Sequence, residues 1–158
     1  MIKEKQNIKG CVDFCIEDRS KNKIFYTINN AILRSGKSAL ASSLANEFGG
    51  PVYPFYISRM IFGDGGTIGG NTRTVGEERT SLFGTELASK QVISSIDPSI
   101  TTQVIFTSIL SFDEANGKTI NEMALKMSND SLYSMVTFPD LTKTNQIQIT
   151  WNWRINFI

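Results

Sequence analysis

Histidine is absent from the 158 residues. That removes the commonest general base near neutral pH and the commonest zinc ligand. Ser-His-Asp and Cys-His catalysis are excluded within this chain, whereas carboxylate or lysine chemistry is not. An excess of one charge is also missing, because 16 basic and 15 acidic residues leave +1. Such a chain lacks the electrostatic footprint of a nucleic-acid or acidic-membrane binder. It also repels copies of itself weakly. No run approaches the roughly 20 apolar residues of a membrane span. The polar opening MIKEKQNIKG lacks the apolar stretch of a signal peptide. Cysteine is confined to Cys11 and Cys15. Residues four apart on a strand lie about 13 Å apart, and a disulfide needs Cα atoms within about 7 Å. Two free thiols are therefore expected, as in a reducing cytoplasm.

What is present is an ordinary globular composition, 41% hydrophobic and 20% charged, long enough for one sizeable core. Residues 1–9 read as a flexible N-terminal arm, and 10–158 as a single domain. In GCVDFCIED, Val12, Phe14 and Ile16 alternate with Cys11, Asp13 and Cys15, the period of a strand with one apolar face. EDRSKNK reads as a turn and KIFYTINNAIL as a second strand of the same hairpin. SGKSALASSLANEFGG carries Leu40, Leu44 and Phe48 at helical spacing and stops at Gly49-Gly50. It predicts one short helix from about Gly36 to Phe48.

PVYPFYISRMIF is a strand candidate whose Pro54 argues for an edge or an irregular start. GDGGTIGGNTRTVGEE is rich in glycine and has no aromatic residue. It predicts a long surface loop that buries little core. SLFGTELASKQV fits a short helix or an extended segment. QVIFTSILSF reads as a strand, and DEANGKT as a turn built on Asn-Gly. INEMALKM and LYSMVTF are strands joined at Ser128-Asn129-Asp130-Ser131, and PDLTKTN is a further turn. In QIQITWNWRINFI, Ile147, Ile149, Trp151, Trp153, Ile155 and Phe157 share one face. Polar residues hold the other, as in a half-wet antiparallel sheet. The fold expected is mainly β: an antiparallel β-sandwich with one short α-helix and a long glycine-rich loop.

Several motifs invite a chemical reading. AILRSGKS approaches the phosphate loop G-x-x-x-x-G-K-[ST], and SILSFDEA resembles a strand with a magnesium-holding acid. Gly36, Lys37 and Ser38 are in place, but Ala31 stands where the first glycine should turn the chain. Hairpin-linked strands follow, rather than alternating parallel strands and helices. The plain reading is a helix start packing small residues on a sheet. GDGGTIGGN offers backbone N–H groups to an anion, but no helix start adjoins it. A mobile loop ordered against a neighbour is preferred. Asp64 with Asp113, Glu114 or Glu122 would make a metal or carboxylate site, yet nothing in their spacing unites them. Solvated acids are expected. Trp151 and Trp153 would suit a sugar platform, but core or interface packing is the preferred reading. No catalytic, metal-binding or cofactor-binding residue is assigned.

NNAILRSGKSALASSLANEFGG, YISRMIFGDGGT, RTSLFGTE and the long stretch VIFTSILSFDEANGKTINEMALKMSNDSLYSMVTFPDLTKTNQIQITWNWRINF follow one another in order. That order, with residues such as Phe112, Glu114, Gly117, Glu122, Lys143 and Trp151, resembles small virion structural proteins of tailed bacteriophages, of the tail, collar or fibre-attachment type. The resemblance covers about residues 24–158. It implies a structural subunit of the tail, neck or collar, a ring component or fibre or spike adaptor, made in the host cytoplasm. It implies partners that are copies of the chain in a cyclic assembly and other phage tail or portal-vertex proteins, with no nucleic acid and no membrane. The alternative is a carbohydrate- or receptor-binding module of a tail fibre. Assembly contacts are expected at Phe62, Gly63, Asp64, Thr72, Arg73, Arg79, Phe157 and Ile158. They lie on the glycine-rich loop and on the apolar end of the last strand.

Overall fold

A computed structural model describes residues 7–45 and 55–158. In chain order the elements are β1 (Ile8–Asp18), β2 (Lys23–Asn29), β3 (Ala31–Ile32), α1 (Arg34–Ala45), β4 (Ile57–Gly63), β5 (Thr67–Ile68) and β6 (Asn71–Thr72). There follow β7 (Glu86–Gln91), β8 (Ile93–Ser95), β9 (Gln103–Leu110), β10 (Thr119–Met127), β11 (Leu132–Thr142) and β12 (Ile147–Phe157). Two five-stranded sheets run in the orders β2-β1-β12-β9-β8 and β3-β11-β10-β4-β7, and β5-β6 forms a small ribbon. Every strand pairing among the described residues is antiparallel. The β-sandwich expected from the alternating segments is therefore the fold.

Alternation decides which residues meet. In the first sheet Val12 pairs with Trp153, Phe14 with Trp151 and Ile16 with Ile149. Across β9, Phe106 and Leu110 align with Trp153 and Ile149. Their side chains pack against Met60, Phe62, Met123, Leu125 and Phe138 of the second sheet in one continuous core. The outer face of the first sheet is polar: Arg154 bridges Asp13 at 2.6 Å, and Thr107 donates to Asn152 at 2.8 Å. Cys11 and Cys15 are free, as strand spacing requires.

Some expectations need correction. Residues 7–9, expected in a flexible arm, do not form one: β1 begins at Ile8, and Asn7 exchanges backbone bonds of 2.8 and 2.9 Å with Ile158. Residues 1–6 lie outside the described residues. The helix begins at Arg34, two residues early, because Leu33 donates to the Tyr133 carbonyl and accepts from Lys37 N. Its expected end at Phe48, the Gly49-Gly50 stop and Pro54 lie outside the described residues. PDL is strand, not turn. β11 runs on to Thr142 through a bulge opposite Ile120–Glu122, and such irregularities accommodate a proline like Pro139. ELASKQ is the extended option, strand β7.

The glycine-rich segment is mostly exposed, as expected of a surface loop, but it is held in place by its own chain. It carries the β5-β6 ribbon, and with the residues after it closes a second apolar cluster on the outer face of the second sheet. There Leu33, Ile61, Leu82, Ala124, Leu132 and Met135 pack with Val75 and Phe83. The loop is thus fixed by its own chain. That explains why β10 is buried on both faces.

Candidate functional site

The inner anchor of this loop is Glu122. Its position in β10 points it outward from the core between the sheets, where solvation was expected. Instead it is fully buried. Its carboxylate accepts the N–H groups of Gly65 (2.9 Å), Gly84 (2.8 Å) and Phe83 (2.8 Å). Beside it, Asn121 Oδ1 accepts Gly66 N at 2.6 Å. A Cβ on Gly66 would stand 2.1 Å from the Asn121 carbonyl oxygen, so only glycine lets the loop approach this closely. The anion cradle seen in GDGGTIGGN is real in kind, but the anion is the chain's own carboxylate.

The other acids do not join Glu122. Asp64 accepts Thr85 N at 2.8 Å on the loop surface. Glu114 pairs with Lys90 at 2.5 Å and accepts Ser111 N, and these bonds hold its carboxyl below the usual range. Among the described residues no group of three or more His, Cys, Asp or Glu side chains is placed to hold a metal ion. Near Glu114, the amine of Lys143 is buried and donates to Thr144 O (2.8 Å), Asn116 Oδ1 (3.2 Å) and Phe112 O (3.5 Å). Burial pushes its pKa down, opposed by Glu114 and Asp113. It ties two turns together.

The phosphate-loop reading meets the same fate. Ala31–Ile32 is strand and the helix starts at Arg34, which leaves no loop to wrap a phosphate. Lys37 pairs with Glu77 at 2.8 Å. A Cβ on Gly36 would lie 2.5 Å from the Tyr133 carbonyl oxygen, so this glycine serves helix-on-sheet packing. Trp151 and Trp153 are fully buried in the core. They present no platform to a sugar.

The expected contact residues divide into four pairs. Phe62 is 0% exposed and Gly63 is buried, so neither meets a partner in this conformation. β4 is a central strand, and its apolar end faces the core. Asp64 and Thr72 are exposed, the latter in the ribbon. Arg73 and Arg79 are brought together, stacked 4.0 and 3.8 Å from the Phe83 ring centre. Arg79 also donates to Ser81 O and Leu82 O, which makes it partly a loop clamp. Phe157 and Ile158 are 40% and 67% exposed. They line an apolar groove of about 620 Å³ with Ile8 and with Leu40, Ala41 and Leu44 of α1.

Sequence reasoning missed an exposed apolar surface on the first sheet. Ile24, Phe25 and Tyr26 of β2 are 56%, 72% and 46% exposed along one margin. Ile93, Ile96 and Ile100 are exposed in and after β8, the opposite margin strand. Periodicity marks a strand but not its place in the sheet. The signal available was KIFYTI itself, an apolar run without clean alternation. No protein-family model, curated protein or solved structure matches the chain.

Proposed function

We propose that the chain is a structural subunit of a tailed-phage virion, in the tail, neck or collar, that works through protein–protein contacts as a ring component or fibre adaptor. The observation that carries this reading is where the apolar surface lies. Much of it lies on the margin strand β2, in and after the margin strand β8, and at Phe157 and Ile158, on a scaffold whose buried charges serve its own loops. Uncovered apolar strands at sheet margins are association surfaces unless they are blunted. The ordered resemblance over residues 24–158 supplies the virion setting. Its contacts are carried by sheet margins and by the surface around Arg73 and Phe83, rather than by Phe62. Mass spectrometry of purified particles, followed by cryo-electron microscopy, tests the proposal. The expected result is the chain in stoichiometric amount at the tail, neck or collar. Its absence from particles overturns the reading.

A further inference from the structure

We infer that β2 is the interface between two copies of this chain, which pair antiparallel about a two-fold axis at Tyr26 and join their first sheets into one. The inference rests on the self-association in the reading above and narrows it. A β2–β2 contact is isologous, so ring closure needs a second, heterologous contact elsewhere.

The ladder between β1 and β2 shows what the free margin offers. Asp18 N donates to Asn22 O, and Asn30 N donates to Gly10 O. Hydrogen-bonded pairs recur at every second residue of an antiparallel ladder. The intervening pairs Ile16–Ile24, Phe14–Tyr26 and Val12–Ile28 are therefore the bonded ones. The N–H and C=O groups of Lys23, Phe25, Thr27 and Asn29 then point away from β1. β2 is the last strand of its sheet. Among the described residues nothing blunts this edge: its seven residues contain no proline, its register with β1 is unbroken, and no charge lies between Ile24 and Asn29.

The occupant is argued from self-complementarity. Ile24, Tyr26 and Ile28 share the inner face, and Ile-x-Tyr-x-Ile reads the same in both directions about Tyr26. Antiparallel pairing centred there sets Ile24 against the other copy's Ile28 and Tyr26 against its own equivalent. Phe25 and Thr27 exchange backbone bonds across the join. Lys23, already paired with Glu17 at 3.1 Å, meets Asn29, so no like charges oppose. Beneath β2 the sandwich is open: a groove of about 330 Å³ runs between Phe14, Tyr26 and Ile28 on one side and Pro139 and Leu141 on the other. Tyr26 stacks on Phe14 at 4.9 Å, so the core already extends to this margin. The margin at β8 is a poorer match, with three paired residues of which two are serine.

The register makes the proposal testable by cross-linking. In a non-hydrogen-bonded antiparallel pair, facing Cα atoms lie about 4.5 Å apart, within the span of a disulfide of about 4.4–6.8 Å. With Cys11 and Cys15 replaced by serine, Tyr26→Cys forms a reducible dimer under mild oxidation. Ile24→Cys alone does not, but mixed with Ile28→Cys it does. Phe25→Pro removes only an outward N–H, and weakens dimerisation about tenfold or more relative to Phe25→Thr. Circular dichroism checks that both remain folded. A wild-type chain that stays monomeric in analytical ultracentrifugation overturns the inference. So does Tyr26→Cys cross-linking no better than the exposed control Ile109→Cys. Self-association unchanged by Phe25→Pro overturns the β2 assignment and leaves the virion reading standing, which fails only on absence from particles.

Discussion

At the residue scale, buried polar groups act as fasteners. Glu122 satisfies three backbone donors from two separated loop segments. Each hydrogen bond to a charged acceptor is worth about 1.5–3 kcal/mol, and an orphaned buried donor costs about 1–3 kcal/mol. Glu122→Ala is expected to lower stability by about 3 kcal/mol or more in urea unfolding. It also exposes residues 63–85 to limited proteolysis. Glu122→Gln retains one acceptor and loses less. Tyr133 gives a second test. Burial raises its phenol to about 12 from the ordinary 10.0. A raised pKa means the folded state holds the proton more tightly, so its contribution is complete below pH 10 and is lost as pH climbs towards 12. Between those limits about 2–3 kcal/mol disappears. Tyr133→Phe should flatten that part of the alkaline unfolding curve.

At the scale of elements, α1 and the β10-β11 hairpin show how local signals were overruled. The helix was legible from Leu40, Leu44 and the alanines, but its first turn was not, because the Tyr133 strand sets it. Gly36→Leu places a side chain where even a Cβ meets the Tyr133 carbonyl oxygen. A cost of about 1–3 kcal/mol is expected from this overpacking, read as a lowered urea midpoint. Leu44→Ala, on the exposed face of the same helix, should change stability by less than about 0.5 kcal/mol. In β11, Pro139 resembles a terminator by composition. The bulge opposite Ile120–Glu122 absorbs it, and the strand continues.

At the scale of the whole molecule, the near-zero net charge conceals local pairings. Hydrogen bonds and ion pairs depress the carboxyls of Glu17, Asp18, Glu77, Asp97, Glu114 and Asp140. The largest causes are Lys21, Asn22, Lys37, Ser99, Lys90 and Asn121 respectively. A depressed carboxyl stabilises the fold above its ordinary value, 3.8 for Asp or 4.5 for Glu, and ceases to do so as pH falls through the lower folded value. The melting temperature should therefore hold above pH 5 and fall progressively below about pH 4 by differential scanning calorimetry. Lys90→Met should shallow that decline by removing the Glu114 partner.

The sequence by itself determined the class of fold, because period-two alternation commits a strand to one buried face wherever it sits. Ile149, Trp151, Trp153 and Ile155 could hardly face water together, and the core contains all four. Absences were equally decisive at this level, since no histidine means no histidine chemistry. Tertiary structure alone decided which strands became margins, which acid was buried and what the loop covered. Alternation carries no information about neighbours in a sheet, so β2 and the central β4 looked alike as apolar runs. Glu122 was placed on an outer face that only residues 63–85, up to 59 positions away in the chain, convert into an interior. Phe62, expected at a contact, is buried, and Phe25 is exposed, for that reason: burial is set by what packs from a distance, and the local pattern does not contain it.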